Sequence, residues 1–414
     1  MTARGRGPRA ILADTSLSAI TAGAIAVLVS FAGPLAVVVQ AAHAAGLDEA
    51  RLSSWIWAIS LGSGLTGLVL SLRFRAPVVA AWSTPGAALL VTQLGHYPYR
   101  EAIGAYLGAA ALTVVVGLTG WLEALMRRVP AAVVSAMLAG VLLRFGLDAF
   151  GALGHSPAIA GAVLGGYVLC RRIAPRYAVL TALALGVGTA AATHGISLGH
   201  TQVALARPVF TAPHWSAGAL VGLALPLFLV TMTSQNAPGA AVLRAAGYEH
   251  VPTGPLIRGT GAASVVFAPF GAHALNLAAI TAAICTGPEA HEDRDRRYVA
   301  GLSCGVLYVA VGLFGATVAG MFAALPPALV AATSGVALLG VLGTSLGSAF
   351  TGPADRDSAL VAFLATASGV TLFGIGSAFW GLVFGVVCRV ALSPAARPGT
   401  ARTDATEAEG PGRG

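Results

Sequence analysis

Three short polar stretches interrupt an otherwise apolar chain, and they hold the residues best able to do chemistry. They are Ser83-Thr84-Pro85-Gly86, Ser234-Gln235-Asn236-Ala237-Pro238-Gly239 and His273-Ala274-Leu275-Asn276. Hydroxyl, amide and imidazole groups can donate hydrogen bonds to an anion, and a histidine with an ordinary pKa of about 6.5 can carry a proton. None of the stretches contains an acid, so they offer no carboxylate pair for acid–base catalysis. The sequence has no lysine, which removes Schiff-base chemistry. Cys170, Cys285, Cys304 and Cys388 lie scattered in apolar sequence without metal-ligand or disulfide spacing, and read as small core residues.

Three formal motif matches fail on context. Gly62-Ser63-Gly64-Leu65-Thr66-Gly67 fits a dinucleotide fingerprint but lies inside an apolar span with no strand before it, where its glycines serve close helix packing. Gly301-Leu302-Ser303-Cys304-Gly305 fits a nucleophile elbow but sits within a helical stretch. His291-Glu292 lacks the second histidine of a zinc-protease helix. No enzyme chemistry, metal or cofactor is expected.

Each remaining candidate has a functional and a structural reading. Ser83, Thr84 and Asn276 either contact an anion directly or cap the helices that follow them. Gln235 and Asn236 either bind substrate or bridge helices. His273 is either a proton carrier or a neutral donor to backbone. Asp148, one turn after Arg144, is a second candidate for proton coupling or one half of a structural pair, and Glu123 with Arg127 reads as an interfacial pair. Ser30, Phe31 and Gln40 lie on the first span. Phe31 and Trp82 could stack on an aromatic ring or fill the core.

The elements that position these residues are membrane spans. Hydrophobic residues form 56% of the 414-residue chain and charged residues only 10%, well under the quarter or so of a soluble domain. The length allows on the order of 12 to 14 spans and no separate soluble domain. The first span is read at 17–41, with Asp14, Thr15 and Ser16 as cap candidates, and as a span rather than a cleaved leader. Two elements, 76–94 and 268–287, are apolar but interrupted. Placing the N-terminus in the cytoplasm puts Arg73/Arg75, Arg127/Arg128, Arg171/Arg172, Arg244/Arg258, Arg294/Arg296/Arg297, Arg356 and Arg389 on the cytoplasmic side. That works when both interrupted elements count as membrane elements, giving roughly seven in each half and both termini inside.

The halves align weakly but in order. Ala76-Pro77-Val78-Val79-Ala80 matches Ala268-Pro269-Phe270-Gly271-Ala272, Gly117–Gly120 matches Gly312–Gly315, and Pro130-Ala131-Ala132-Val133 matches Pro327-Ala328-Leu329-Val330. An odd number of elements per half inverts the second half. In such repeats, paired interrupted segments mark the substrate site. In this register Asn276 occupies the position of Thr84. Two half-helices then direct their N-terminal ends at one central point, which favours an anion. The expected organisation is a cytoplasmic tail 1–16, a first inverted repeat 17–194, a loop 195–215, a second inverted repeat 216–392 and a disordered tail 393–414.

Extended to Trp82–Gly86, Thr233–Gly239 and Gly271–Thr281, the polar stretches resemble the benzoate/proton symporter (BenE-type) family over nearly the whole chain apart from both tails. That family is related in fold to uracil/xanthine and sulfate-type anion transporters. The resemblance implies an all-α membrane protein with about 14 segments, a core and a gate domain, and a site lined by the first, third, eighth and tenth segments. It implies import of benzoate or a similar aromatic carboxylate with protons, by alternating access, in a bacterial inner (plasma) membrane. The substrate-binding set is Ser83, Thr84, Gln235, Asn236, His273, Asn276, Phe31 and Trp82, with His273 and Asp148 as proton-coupling candidates. Uracil-type relatives carry carboxylates where this chain has Gln235, Asn236, His273 and Asn276. The partners implied are a small anion, a proton and lipid, with a homodimer as one possible assembly and no nucleic acid. The alternatives are transport of another organic or inorganic anion, or an anion channel.

Overall fold

A computed structural model describes residues 8–121, 130–193 and 203–392. The Glu123–Arg127 pair, Arg128, the end of the seventh span at His194, Arg4 and Arg6, and the C-terminal tail lie outside the described residues. The chain is mostly helical. Among the described residues, six helical stretches are long and apolar enough to cross a membrane: Leu17–Ala44, Glu49–Phe74, Tyr99–Thr119, Ala131–His155, Ala217–Ala245 and Pro327–Ala349. Arg294–Leu313 joins Gly315–Ala323 at a 70° bend, and Ala178–Thr193 and Ser377–Leu392 are shorter apolar helices.

In chain order, α1 is Pro8–Asp14, α2 Leu17–Ala32, α3 Pro34–Ala44, α4 Glu49–Phe74, β1 Ala80–Trp82, α5 Thr84–Gln93, α6 Tyr99–Thr119, α7 Ala131–His155, α8 Pro157–Ile173 and α9 Ala178–Thr193. The continuous helix Ala217–Ala245 is α10. It is followed by α11 Thr253–Phe267, β2 Leu275–Leu277, α12 Ile280–Thr286, α13 Tyr298–Leu313, α14 Gly315–Ala323, α15 Pro327–Ala349, α16 Arg356–Ala367 and α17 Ser377–Leu392. The first span differs from the sequence reading in two ways. It breaks at Gly33, where Pro34 opens α3, and it runs on to Ala44. Of the three cap candidates, Ser16 caps α2 by accepting from the Ala19 N–H.

Close helix contacts follow the glycines. α13 packs on α4, α11 on α6, and α15 on α7. A Cβ on Gly64 would meet the Gly305 carbonyl oxygen at 2.6 Å, and one on Gly305 would meet the Gly64 carbonyl oxygen at 2.9 Å. Two of the three formal motifs of the sequence reading, 62–67 and 301–305, therefore serve one helix–helix seam. Charge is concentrated at its edge. Buried Asp14 accepts from Arg75 (3.1 Å) and the Tyr298 hydroxyl (2.9 Å), and lies 3.5 Å from Arg296, joining α1, the end of α4 and the start of α13. At other helix ends, residues 203–216 form a strap without regular secondary structure. The Ala206, Val209, Thr211 and His214 N–H groups donate to the Leu313 carbonyl, Ser54 Oγ, and the Pro269 and Arg100 carbonyls, each at 2.8 Å.

Among the described residues, a two-stranded sheet and an isolated bridge between Leu372 and Ile375 depart from the all-helical expectation. β1 and β2 pair antiparallel, with Ala80 opposite Leu277, Ala81 opposite Asn276 and Trp82 opposite Leu275. Both strands are fully buried. This register corrects the sequence alignment. Asn276 lies inside β2, three residues before Ala279, which holds the cap position of α12 and supplies no side-chain cap. Asn276 therefore does not occupy the position of Thr84.

Gly64→Val should destabilise the protein by roughly 1–3 kcal/mol through overpacking. Gly161→Ala, where nothing lies within 4 Å, should not. Thermal melting of the purified variants compares the two, and equal melting would refute the seam.

Candidate functional site

Where β1 hands over to α5, Ser83 is the helix cap. Its Oγ accepts from the Gly86 N–H at 3.0 Å, and Pro85 sits in the first turn, where its missing N–H costs nothing. Ser83 is wholly buried and also accepts from the Thr231 hydroxyl at 3.1 Å. Thr84, next to it, is only partly buried, and its hydroxyl makes no hydrogen bond to the described residues.

Thr84 opens onto a cleft that, counted with the solvent space at its mouth, spans about 560 Å³. Val29, Ser30 and Pro34 form one wall, Ala81, Trp82 and Thr84 a second, and 278–281 a third. Gln235 lines it from α10, and Ala337 and Val341 from α15. The four segments expected at the site all contribute. The fifth, α15, was not expected; its apolar Ala337 and Val341 carry no signal that distinguishes them from core. Ile280, 69% exposed, stands in the opening.

Gln235 reaches the cleft through a local distortion of α10. Residues Met232–Asn236 form a π-helical turn directly before Pro238, which cannot donate to the helix ladder. Its side-chain amide, like the Thr84 and Thr281 hydroxyls, has no hydrogen-bond partner among the described residues. Thr281 was missed by the sequence reading, although it ends the third polar stretch. Its only sequence signal is its place just inside the second half-helix.

Asn236, His273 and Asn276 are held differently. Asn236 is buried and accepts from the Leu277 N–H at 3.0 Å. Asn276, with its amide oriented by its neighbours, accepts from the Ser83 N–H and donates to the Leu277 carbonyl, both at 2.9 Å. His273 Nε2 lies 2.9 Å from the Ser83 carbonyl, and Trp55 Nε1 donates to His273 Nδ1 at 3.1 Å. A carbonyl only accepts and an indole only donates, so His273 is the neutral Nε2–H tautomer. A second proton would set an imidazole N–H against the indole N–H. His273 does not line the cleft; its ring meets those of Trp55 and Tyr106 edge-on.

An aromatic wall backs the cleft. Phe31 and Trp82 meet edge to face at 5.1 Å, and Tyr308 contacts both, at 5.9 and 5.7 Å. Trp82 Nε1 is buried without a hydrogen-bond partner among the described residues. Gln40 donates to Ser334 Oγ at 3.0 Å and bridges α3 to α15. Asp148 lies outside the site. It faces Arg144 at 3.9 Å on an exposed helix surface, with 56% of its side chain accessible. The structure thus brings Thr84, Gln235, Trp82 and Phe31 together, with Ser83 directly behind, and places Asn236, His273 and Asn276 in the frame.

The family model for the benzoate membrane transport protein (BenE) matches residues 13–391. Inner membrane protein YdcO of Escherichia coli (strain K12) is 46% identical over 374 residues, covering 90% of this chain and 95% of that protein. The benzoate membrane transport protein of Acinetobacter baylyi is 42% identical over the same shares. Among solved structures, the transmembrane domain of the cyanobacterial bicarbonate transporter BicA aligns over 91% of this chain and 96% of its own, with a TM-score of 0.52 at 15% identity. The murine Solute Carrier 26 family member A9 anion transporter, in its inward-facing state, aligns over 91% of this chain and 68% of its own, with a TM-score of 0.57 at 15% identity.

Losing the Ser83 cap should cost about 1 kcal/mol. His273→Ala should cost more, roughly 2–4 kcal/mol, because it leaves a cavity and two unpaired buried groups. Chemical or thermal denaturation of both variants tests this; a His273→Ala variant as stable as the parent would show that His273 is not part of the frame.

Proposed function

Since the chain belongs to the benzoate membrane transport protein (BenE) family, a family of transport proteins rather than enzymes, we propose that it imports benzoate or a similar aromatic carboxylate with protons by alternating access. One observation carries this reading. At a cleft in a buried part of the fold, Thr84, Gln235 and Thr281 present polar groups not committed to the protein, beside an aromatic wall. The carboxylate binds at the Thr84 end of α5, where the Thr84 hydroxyl and the helix dipole favour negative charge. The ring packs toward Phe31 and Trp82.

The reading includes about 14 membrane segments in two inverted repeats. Two serines support that layout. Ser71, late in α4, donates to the Val78 carbonyl and accepts from the Val78 N–H, gripping the chain that leads into β1. Ser264, late in α11, accepts from the Leu275 N–H in β2 at 2.8 Å while its hydroxyl proton goes to the Thr260 carbonyl at 2.9 Å. The repeats span 17–194 and 216–392, joined by 195–215. The core body carries both strands, and the gate body includes α7 and α15. The site is the surface between them. The arginine distribution puts both termini in the cytoplasm of a bacterial inner membrane.

Proton coupling runs through the substrate. Among the described residues no acid or histidine lines the cleft, Asp148 is not among its lining residues, and both nitrogens of His273 are engaged. A proton that joins the carboxylate only after it has docked at the Thr84 end needs no protein carrier.

Uptake of labelled benzoate into proteoliposomes, with and without an inward proton gradient, tests the function. Thr84→Val and Gln235→Leu should each lower uptake about tenfold or more, on the scale of one lost hydrogen bond to a charged group. Asp148→Asn should leave uptake and its gradient dependence unchanged. Uptake indifferent to the gradient would end the coupling proposal. Currents reversing at the anion's Nernst potential would favour a channel.

A further inference from the structure

The hydrogen bonds of Ser30 run in one direction. Its Oγ donates to the Ala26 carbonyl at 3.0 Å, because a carbonyl can only accept. That uses its one proton. The 2.6 Å contact with Tyr308 is therefore a donation from the Tyr308 hydroxyl to Ser30 Oγ. A serine hydroxyl has two lone pairs, so one remains, and no proton remains to donate. Tyr308 is 1% exposed and held by ring contacts to Phe31 and Trp82, which fix the direction of its bond. Ser30 itself lines the cleft.

We infer that Ser30, held by Tyr308, is a specificity-determining residue that accepts a hydrogen bond from a ring hydroxyl of the substrate. The inference rests on the cleft being the binding site for an aromatic carboxylate. An acceptor-only group repels a carboxylate, whereas Thr84, Gln235 and Thr281 still have protons to offer. The two kinds of group orient the molecule: carboxylate toward the donors, ring substituent toward Ser30. A phenolic hydroxyl finds a partner there, and a methyl group of similar size does not. The favoured substrate class is a hydroxylated aromatic monocarboxylate. Tyr308 is a positioning residue, acting only through Ser30.

Competition against labelled benzoate uptake in proteoliposomes separates the possibilities. The competitors are 3- and 4-hydroxybenzoate and the shape-matched 3- and 4-methylbenzoates. One hydroxy isomer should compete about tenfold better than its methyl counterpart, the scale of one net hydrogen bond. Ser30→Ala should bring that ratio to about one. Should Ser30→Ala fold poorly because it strands the Tyr308 hydroxyl, the double variant Ser30→Ala/Tyr308→Phe removes both partners at once and should give the same ratio. A ratio near one in the native protein, or a ratio that survives the substitutions, overturns the assignment. Native protein that neither binds nor takes up benzoate overturns the functional reading and this assignment with it.

Discussion

Extended backbone buried within a membrane protein must find partners for its N–H and C=O groups, and here two such segments find each other. The pairing of β1 with β2 is three residues long, too short to stand alone. It is held from every side. Ser71 and Ser264 grip the strands and their approaches, the Asn236 side chain takes the Leu277 N–H, and the Ala278 N–H donates to the Val79 carbonyl. His273 and the Ala274 carbonyl fasten Ser83, the residue that starts α5. The helix end offered to the cleft is thus fixed by bonds that reach across the whole sequence. Several polar residues in this apolar protein are there to satisfy backbone.

That division of labour explains what was legible in the sequence. Ser83-Thr84-Pro85-Gly86 reads as a cap because capping is local, and the structure has Ser83 doing it. The glycines of 62–67 read as a packing seam because only small residues permit such contact. The position of Asn276 was not legible. Residues 75–79 separate α4 from β1, whereas residues 268–274 separate α11 from β2, and an extra residue follows β2 before the helix cap. An ungapped match in alanine- and glycine-rich sequence cannot register those insertions. Nor was the role of His273 legible, since its partners lie 190 and 218 residues away. The aromatic wall was half legible: Phe31 and Trp82 stand near glycine and proline signals, but Tyr308 sits in a plain apolar helix.

The cleft combines this rigid frame with neutral polar groups. On the proposed function, that neutrality is an advantage. A fixed positive charge in a partly desolvated site would hold a carboxylate strongly and slow its release, while hydroxyls, an amide and a helix end supply weaker, more easily exchanged attraction. Transport needs binding that can be undone on the other side. The ring then contributes much of the affinity through apolar contact, and discrimination falls to the few polar groups that meet it.

The same frame suggests which parts move together. α4, α13, α2, α11 and α6 are joined by glycine seams, the Asp14 cluster and the 203–216 strap, and this group carries the two strands. Its contact with α15 beside the cleft is also close, but it has few directional bonds. Gly33 approaches Ala337 with no room for a Cβ, and Gln40 to Ser334 is a side-chain bond between the two. Small apolar surfaces with few directional bonds can slide at low cost, whereas a backbone-paired crossing cannot open without stranding buried groups. The proposed alternation therefore has α15 and its neighbours shift against an intact crossing. Substrate then meets the same Thr84 and Gln235 from either side, and only the apolar cover changes.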